Sequence, residues 1–526
     1  MNIKMRQLPS ITKVCNGYSL LVDEKPFIML AAEVHNSACT SREYMQVVWK
    51  RAEEIHCNTI LAPVYWEMFE QRENHFDYDL IQNLIIDARK HHIKLVLLWF
   101  GSWKNGLSTY VPQWVKTDLY RFPRTEDEHG NKTRILSMFH SDILQVEKNA
   151  FAHLMEYIKE VDSEEQTVIT VQVENEMGIL GAERDWSKYA AQEFEKRIPV
   201  KLMEYLGKTN SFDSAVNGKD FPETWEKVFG EDANEAFMAW HYALHINELA
   251  KCGKECYRLP MFTNAWLKES DDERPGFYPS GGPLPEVLDI WKCAAPELDV
   301  LAPDIYTFQF DKIAGLYKRI DNPLFIPETR RDKWAVANLY AAIGTYHALC
   351  YSPFGAESIG EDKSFITQII HTDFSDKNVS SEMVKDYLAQ SYRLFANMMP
   401  LITQFYGTDK MIGFVQRNLQ MIKHIRLGKY QITLEFYHEI NDENKYIPSA
   451  GIIIEKDENE LIFLGYGYRA YLETVNPGKQ LDYLSLEKGT YDEKCNWKKS
   501  MDLNGDEQYI RMEETPTVLN AVYYEF

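Results

Sequence analysis

The chain has 526 residues, 45% of them hydrophobic, and a formal net charge of −22. The length exceeds one ordinary domain, and the hydrophobic content is normal for a globular protein. The negative charge argues against a nucleic-acid partner and an anionic-membrane partner, because both need basic patches. The net charge does not indicate a substrate, since both neutral and cationic ligands are compatible with a negatively charged protein.

Cysteine usage and the N-terminal stretch bear on the compartment. The eight cysteines are scattered and show no disulfide framework, which predicts a reducing environment. Residues 1–22 lack the apolar core of a signal peptide, and no apolar run approaches the ~18 residues of a membrane helix. We expect a cytoplasmic protein, although a secreted protein trimmed of its leader would look the same. The oligomeric state is open, and a homo-oligomer is possible.

Four buried strands are predicted in the first half of the chain, separated by helices with apolar residues every three or four positions. The strands and the residues that follow them are 27–32 with Glu33 and His35, 58–64 with Tyr65, 94–98 with Trp103 and Lys104 in a loop, and 168–173 with Glu174, Asn175 and Glu176. This alternation is typical of an α/β barrel or a doubly wound sheet.

Four more strands follow a long acidic segment, 179–260, which we interpret as a helical insertion on the fourth strand–helix loop. They are 261–264 with Trp266, 300–303 with Asp304 and Tyr306, 323–326 with Glu328, and 349–352 with Phe354. Eight strands favour a closed (β/α)8 TIM barrel over 1–404. Alternating stretches separated by turn residues predict an all-β, sandwich-like domain over 405–526.

Two carboxylates stand at the ends of distant predicted strands. Glu176 ends the fourth strand and Glu328 follows the seventh, 152 positions later (328 − 176). A parallel barrel brings the carboxyl ends of all its strands to one rim, and two carboxyl groups there suit glycoside hydrolysis. A retaining enzyme needs a protonated acid for the leaving oxygen and a carboxylate ~5–5.5 Å away to attack the anomeric carbon. A capped strand end that faces water is the structural alternative.

Strand alternation would place Glu174 and Glu176 on one face if the strand continued, so patterning leaves the choice between them open. The segment V-Q-V-E-N-E-M-G at 171–178 resembles the Q-x-E-N-E-Y-G motif of glycoside hydrolase family thirty-five, the β-galactosidases. The segments N-T-I-L-A-P-V-Y-W-E-M-F-E at 58–70 and H-F-D-Y-D-L at 75–80 resemble further motifs of that family. The likeness covers roughly 27–354.

The resemblance implies a clan A barrel acting as a retaining exo-β-galactosidase that requires no metal or organic cofactor. It implies these roles: Glu176 as general acid/base, Glu328 as nucleophile, Asn175 as partner of the sugar 2-hydroxyl, Tyr65 in the sugar pocket, and Tyr306 near the nucleophile.

Two segments depart from the family pattern. The third strand ends in L-L-W-F-G-S-W-K-N-G, where the family commonly carries A-E-W with a sugar-binding Glu, and P-E-T-R-R at 327–331 differs from the usual T-E-F-type run. Other residues must hold the distal hydroxyls. The candidates for sugar contacts are Glu33, His35, Trp103, Lys104, Trp266 and Phe354.

Other functions are compatible with the same residues. A retaining β-glycosidase of another specificity, such as a β-glucosaminidase or β-arabinopyranosidase, would use the same carboxylates, and a non-catalytic carbohydrate-binding barrel would use neither. His241 and His245 lie four positions apart, with Cys252 and Cys256 behind them. Their spacing is not that of a known closed zinc site, so we predict an amphipathic helix and no metal.

Overall fold

The structure is a computed structural model that describes residues 7–209, 223–361, 379–417, 420–437 and 446–526. The strands are β1 Ser10–Val14, β2 Gly17–Val22, β3 Lys25–Phe27, β4 Met29–Glu33, β5 Thr59–Tyr65, β6 Lys94–Lys104, β7 Arg124–Glu126, β8 Lys132–Leu136, β9 Val168–Asn175, β10 Met261–Trp266, β11 Val300–Asp304, β12 Ile326–Thr329, β13 Cys350–Pro353, β14 Met411–Val415, β15 Ile422–Leu427, β16 Tyr430–Phe436, β17 Ala450–Asp457, β18 Glu460–Tyr466, β19 Tyr468–Thr474, β20 Leu481–Tyr491, β21 Trp497–Asp502, β22 Ile510–Met512 and β23 Thr517–Glu525.

The α-helices are α1 Met45–Glu54, α2 Trp66–Phe69, α3 Asp79–Lys90, α4 Gln113–Thr117, α5 Ser141–Asp162, α6 Lys188–Phe194, α7 Val200–Thr209, α8 Trp225–Phe229, α9 Ala233–Cys256, α10 Leu288–Ala294, α11 Phe310–Tyr317, α12 Lys333–Gly344 and α13 Ser381–Gln404. Across the described ranges, no helix combines the length and the apolar character that a membrane span requires.

Eight strands form one sheet in the order β11-β10-β9-β6-β5-β4-β13-β12. The registers of β10 with β9 and β11, β6 with β9, and β13 with β4 and β12 are all parallel. Every residue of β5, β9, β11, β12 and β13 is buried, as expected for a parallel sheet covered on both faces. The predicted (β/α)8 barrel fold is confirmed.

Several predicted strand limits differ from the structure, and two of the differences bear on the site. β6 continues to Lys104, although the prediction ended it at residue 98, and its register with β9 shifts between Trp99 and Lys104. β12 starts only at Ile326, so Glu328 lies inside that strand and not after it. Both errors have one cause: an apolar run reports burial, whereas the start and end of backbone pairing depend on the neighbouring strand.

Contacts divide the chain into two compact units. The first comprises Met1–Ser10, Asn36–Met45 and Leu61–Thr307. It contains β6 and β9–β11 and the long helices α5 and α9, which an ion pair joins between Lys148 Nζ and Glu248 Oε2 at 3.0 Å. The predicted insertion 179–260 contains α6–α9, with residues 210–222 outside the described part. Its status as an insertion stays a prediction, as does the domain boundary at 404/405.

Glu235 is a buried carboxyl group on α9. Its Oε1 accepts the Gly281 N–H at 2.9 Å, and its Oε2 contacts the Ser280 hydroxyl at 3.0 Å. Burial raises the pKa of Glu235 from 4.5 to about 7, with Glu286 adding to the shift while the two hydrogen bonds oppose it. The folded chain therefore binds a proton here that the unfolded chain releases at a lower pH.

We expect Glu235 to make stability depend on pH. Because its folded pKa is the higher one, its contribution is complete below pH 4.5 and is lost as pH rises through about 7. The free energy of unfolding should fall by about 3 kcal/mol over that interval. Urea unfolding of wild type and Glu235→Gln between pH 4.5 and 8 checks this, because Gln keeps both contacts without titrating. An identical slope in both proteins would contradict it.

The second unit comprises Ile11–His35, Gln46–Ile60 and Phe308–Phe526. A six-stranded sheet (β14-β17-β18-β23-β20-β21) and a four-stranded sheet (β15-β16-β19-β22) contribute to one apolar core, which includes Phe414, Ile432, Phe463 and Tyr468. Two antiparallel sheets packed over a shared core form a β-sandwich. The prediction of all-β structure after the barrel is confirmed.

The sandwich packs on α12 within this unit. Thr345, just after that helix, donates its hydroxyl to Gly413 O at 2.7 Å and accepts the Gly413 N–H at 3.0 Å. A Cβ at Gly413 would collide with the backbone of Tyr340 and Gly344. The absence of a side chain at Gly413 thus allows strand β14 and helix α12 to approach closely.

Candidate active site

Two residues at the carboxyl end of β9 have a left-handed backbone conformation. Glu174 has a φ of +60° and Glu176 a φ of +45°, values that non-glycine residues adopt uncommonly and that cluster at functional sites. The intervening Asn175 still pairs in register with Lys104 of β6. The strand does not continue as the period-2 argument for a shared face required, and the two carboxyl groups have different surroundings.

Glu174 points into the protein interior. Its Oε1 accepts the Ser102 N–H at 2.7 Å and its Oε2 accepts the Trp103 N–H at 2.8 Å. Burial and the neighbouring Glu147 carboxylate raise the pKa of Glu174 well above its usual range, so this pair shares a proton at neutral pH. Glu174 closes the irregular end of β6, and it is fully buried.

Glu147, on α5, completes this buried cluster. It accepts hydrogen bonds from the Trp99 indole N–H at 3.0 Å and from the Ser102 hydroxyl, and His245 Nε2 lies 3.4 Å from its Oε2. A Cβ at Gly101 would lie less than 3.0 Å from carboxyl oxygens of both Glu147 and Glu174. The glycine in the G-S-W-K segment therefore makes room for the two carboxyl groups.

Trp103 requires a correction. It was predicted in a loop, as a surface for a sugar ring, but it lies within β6 and is fully buried. Its indole N–H donates to Leu136 O at 3.2 Å, and its ring packs edge-on against Tyr242 and His245. Because β6 continues past its predicted end, Trp103 is a core residue without a surface for a ligand.

Glu176 is held by amide side chains. Asn105 Nδ2 donates to Glu176 Oε2 at 2.6 Å, and the Glu176 N–H donates to Asn264 Oδ1 at 3.0 Å. Asn264 Nδ2 in turn donates to Asp304 Oδ2 at 2.7 Å. A carboxylate oxygen of Asp304 lies within 4.8 Å of one of Glu176. The Glu176 carboxyl group therefore contacts Asn105 and lies beside the Asp304 carboxyl group.

Asn175 and Tyr65 end strands β9 and β5 of the first unit, which lie on either side of β6 in the sheet. Lys104 Nζ donates to Asn175 Oδ1 at 2.8 Å and lies 4.9 Å from the centre of the Phe100 ring. Tyr65 ends β5 and packs against Phe100 and Tyr110 at centroid distances of 6.0 and 5.5 Å. The lysine ammonium thus engages the acceptor oxygen of Asn175 and orients its amide.

Two further predicted residues of this unit are half-buried. Trp266 is the last residue of β10, although it was predicted in the loop beyond, and Tyr306 follows β11 by two positions. Both retain exposed ring surface. Their roles as sugar contacts stay predictions.

Glu328 belongs to the second unit, where it is the third residue of β12 and is 4% exposed. Arg330 follows the strand and donates its Nε–H to Asp332 Oδ2 at 2.9 Å. The Arg330 guanidinium also stacks 4.1 Å from the centre of the Phe308 ring. The P-E-T-R-R segment is therefore anchored on the C-terminal side of the glutamate.

Glu33 and Phe354 are brought together in the second unit. Glu33 is the fully buried last residue of β4 and forms a parallel bridge with Phe354. The Gly355 N–H donates to Glu33 O at 2.8 Å. Phe354 also meets the ring of His35, with a centroid distance of 5.4 Å.

His35 is fixed from two directions. Its backbone N–H donates to Glu357 Oε2 at 3.2 Å, and its ring Nε2 lies 2.8 Å from Ser358 Oγ. Burial and then the nearby Arg331 lower the pKa of His35 to about 4. The imidazole is therefore neutral at physiological pH and carries one donor and one acceptor nitrogen.

Sequence reasoning missed five residues of these clusters. They are Asn105, Glu147, Asn264, Asp304 as a neighbour of Glu176, and Glu357. Asn264 and Asp304 end predicted strands, so the rule that selected Glu176 applied to them as well. Glu147 carried no signal, because it lies within an ordinary helical pattern.

Comparison with known sequences decides the enzyme class. Residues 19–251, which include β9 and Glu176, match the model of Glycosyl hydrolases family 35. The protein is accordingly a glycoside hydrolase with a carbohydrate substrate, and the resemblance read from its motifs is confirmed. Residues 388–513 of the glycoside hydrolase match a second model, described as Domain of unknown function (DUF5597). No curated protein matches the chain.

Solved structures similar to this glycoside hydrolase include two β-galactosidases and a β-amylase. The β-galactosidase from Bacillus circulans sp. alkalophilus is 10% identical, with a TM-score of 0.48 and coverage of 94% of this chain and 99% of that chain. A catalytic mutant of a GH42 β-galactosidase from G. stearothermophilus is 10% identical, with a TM-score of 0.49 and coverage of 98% and 100%. The β-amylase catalytic domain from Paenibacillus polymyxa is 11% identical, with a TM-score of 0.45 and coverage of 69% and 98%.

Proposed function

We propose that the protein is a retaining exo-β-galactosidase that releases terminal, non-reducing β-D-galactosyl residues by double displacement. Glu176 is the general acid/base and Glu328 the nucleophile in this proposal. The proposed specificity for galactose rests on the resemblance of the E-N-E segment to the β-galactosidase motif.

One observation carries the proposal: the placement of Glu176 within the family 35 segment. This glutamate has a left-handed backbone, is 4% exposed, and receives a hydrogen bond from Asn105. The carboxyl group of Glu174, two positions earlier, accepts two backbone N–H groups of β6. Of the two glutamates in the motif, Glu176 is therefore the one that suits proton transfer to a substrate.

The proposed reaction has two steps. Protonated Glu176 donates its proton to the glycosidic oxygen while the Glu328 carboxylate attacks the anomeric carbon, which forms a glycosyl ester and expels the aglycone. Ionised Glu176 then removes a proton from water, which attacks the anomeric carbon, breaks its bond to Glu328 and releases the Glu328 carboxylate and the sugar.

Substrate contacts follow from the chemistry of the remaining groups. With its oxygen engaged by Lys104, Asn175 turns its Nδ2–H donor toward the sugar 2-hydroxyl. Tyr65, Trp266 and Tyr306 supply aromatic surface for the ring. In the second unit, Glu33, neutral His35 and Phe354 are the groups that we assign to the distal hydroxyls in place of the missing strand-three glutamate.

A panel of nitrophenyl glycosides tests this function. We expect the highest kcat/KM on the β-galactoside, compared with a β-glucosaminide and an arabinopyranoside. Proton NMR at early times should show the β-anomer of galactose as the first product, because two inversions restore the configuration. The nitrophenyl α-galactoside is the matched control and should not turn over.

Each other outcome overturns a defined part of the proposal. A preferred glucosaminide or arabinopyranoside would leave the retaining mechanism and change the specificity. The α-anomer as first product would exclude the covalent intermediate. Binding of galactose without turnover of any glycoside would make the barrel a carbohydrate-binding protein.

A further inference from the structure

The four-stranded sheet of the sandwich has one face outside the core. The burial patterns of β16 and β19 alternate, with Ile432, Leu434 and Ala470 inside and Glu435, Arg469 and Tyr471 outside. The outer face includes a group that we call the arginine–tyrosine patch: Glu435, Tyr437, Arg469, Tyr471 and Arg511. All five residues belong to the second unit, outside the barrel.

The patch places two like charges on adjacent strands. Arg469 of β19 is in register with Arg511 of β22, and both guanidinium groups lie over the Tyr437 ring, at 5.3 and 5.9 Å from its centre. Like charges directly opposite each other in a sheet destabilise it. The repulsion between the two arginines opposes their favourable contacts with the Tyr437 ring.

The positive charge of the patch is only partly compensated. Glu435 supplies one negative charge, with its Oε2 3.7 Å from Arg469 Nη1, and it also accepts the Tyr471 hydroxyl at 3.0 Å. Arg469 Nε makes no hydrogen bond within the described residues. The other polar partners of the two arginines are neutral hydroxyl groups: Tyr437 and Tyr471 for Arg469, and Tyr437 and Tyr509 for Arg511, the last at 3.5 Å. Two arginines and one glutamate leave a local charge of about +1 on a chain whose net charge is −22.

Tyr471 supplies a surface of a different kind beside these charges. Its side chain is 51% exposed, and it lies two positions along β19 from Arg469, roughly 7 Å away along the strand. An exposed aromatic ring can pack against the apolar C–H face of a pyranose. A sugar on Tyr471 would place a neighbouring sugar within reach of the two arginines.

We infer that the arginine–tyrosine patch is a second carbohydrate-binding site, separate from the catalytic carboxylates, for an oligosaccharide that contains a uronic acid. The uronate carboxylate suits the two guanidinium groups, which can each donate paired N–H bonds to it. Its charge also removes the repulsion between Arg469 and Arg511. Neutral sugars next to the uronate would stack on Tyr471.

Calorimetric titration of the full chain with tetragalacturonate tests the site, with a neutral galactotetraose as the matched ligand. We expect the uronate to bind more tightly than the neutral sugar and to weaken as salt increases. Arg469→Gln, Arg511→Gln and Tyr471→Ala should each weaken uronate binding by about tenfold or more. Arg426→Gln is the matched control, because this exposed arginine lies on the same face at β15, and it should change binding less than about twofold.

Several results would overturn the inference. They are no uronate binding, equal binding of the two ligands, or equal effects of the Arg511 and Arg426 variants. Loss of a dimer in Arg511→Gln without any uronate binding would instead assign the patch to self-association. Hydrolysis of nitrophenyl β-galactoside should be unchanged in every patch variant, so this inference and the proposed catalytic function can fail independently.

Discussion

Glu176→Ala and Glu328→Ala should each lower kcat/KM on an unactivated galactoside such as lactose by about 10³-fold or more. The reason differs between the two variants. Without Glu328 no glycosyl ester forms, whatever the leaving group. Without Glu176 the leaving oxygen receives no proton. For a dinitrophenyl galactoside, the rate of the first step should therefore fall only slightly, because dinitrophenolate leaves without protonation. Steady-state kinetics on both substrates measure the difference.

Azide separates the two roles by stereochemistry. In Glu328→Ala, azide attacks the anomeric carbon directly and the product is the α-galactosyl azide, because one inversion occurs. In Glu176→Ala, azide attacks the ester on Glu328 and gives the β-galactosyl azide after two inversions. Product analysis by NMR reads out the configuration. The same anomer from both variants, or rescue of neither, would contradict the assigned roles.

Glu174→Gln is the matched control for the choice within the E-N-E segment. Glu174 accepts two backbone N–H groups of β6, so its loss should lower thermal stability and reduce activity only as far as folding suffers. Azide should not restore activity to this variant. A folded Glu174→Gln protein with a 10³-fold loss that azide rescues would transfer the catalytic role to Glu174.

The second large expected effect is a loss of folding stability when Glu147 of the buried carboxyl cluster is replaced. Glu147→Ala should lower the free energy of unfolding by about 3–5 kcal/mol, because it leaves the Trp99 indole N–H and the Ser102 hydroxyl without their acceptor in a fully buried site. Glu147→Gln keeps the volume and one acceptor oxygen, so its loss should be much smaller. Urea unfolding of the two variants compares them. Equal stability of Glu147→Ala and wild type would contradict the role of this cluster.

The pH dependence of stability gives a second readout of the same pair. The pKa of Glu174 is raised, by burial and then by Glu147, so its contribution is present at low pH and lost as pH rises through that raised value. Burial raises the pKa of Glu147, but its hydrogen bonds with Glu174, His245 and Ser102 and the charge interaction with His245 together outweigh burial and lower the pKa from 4.5 to about 2. Its contribution to stability is therefore lost as pH falls through that range. In Glu147→Gln the loss of stability at acid pH should disappear, and the loss of stability at alkaline pH should begin at a different pH. Unchanged profiles would show that the pair is not coupled.

Much of the architecture was predictable from local pattern. Apolar runs and helical spacing report which faces are buried, so they predicted the eight barrel strands and the all-β region without any knowledge of partners. The E-N-E segment directed attention to Glu176, and the same strand-end rule directed it to Glu328. The family resemblance of these segments then predicted the glycoside hydrolase class, which the match over 19–251 confirmed.

The differences arose where the backbone leaves a regular pattern. The left-handed conformations of Glu174 and Glu176 end the regular alternation of β9, and the two carboxyl groups contact different partners, the β6 backbone for Glu174 and Asn105 for Glu176. The continuation of β6 past residue 98 changed Trp103 from an expected ligand surface into a core residue. Neither event alters the local apolar pattern, so patterning does not reveal them.

Residue types and their order along the chain therefore determined the fold class and the acidic groups available for catalysis. Tertiary structure alone decided the surroundings of each group. Asn105, from the turn after β6, and Asn264 and Asp304, from β10 and β11, gather around Glu176 although tens of residues separate them along the chain. Such neighbours, and the burial that accompanies them, set the protonation of a carboxyl group, and they exist only after the strands have paired.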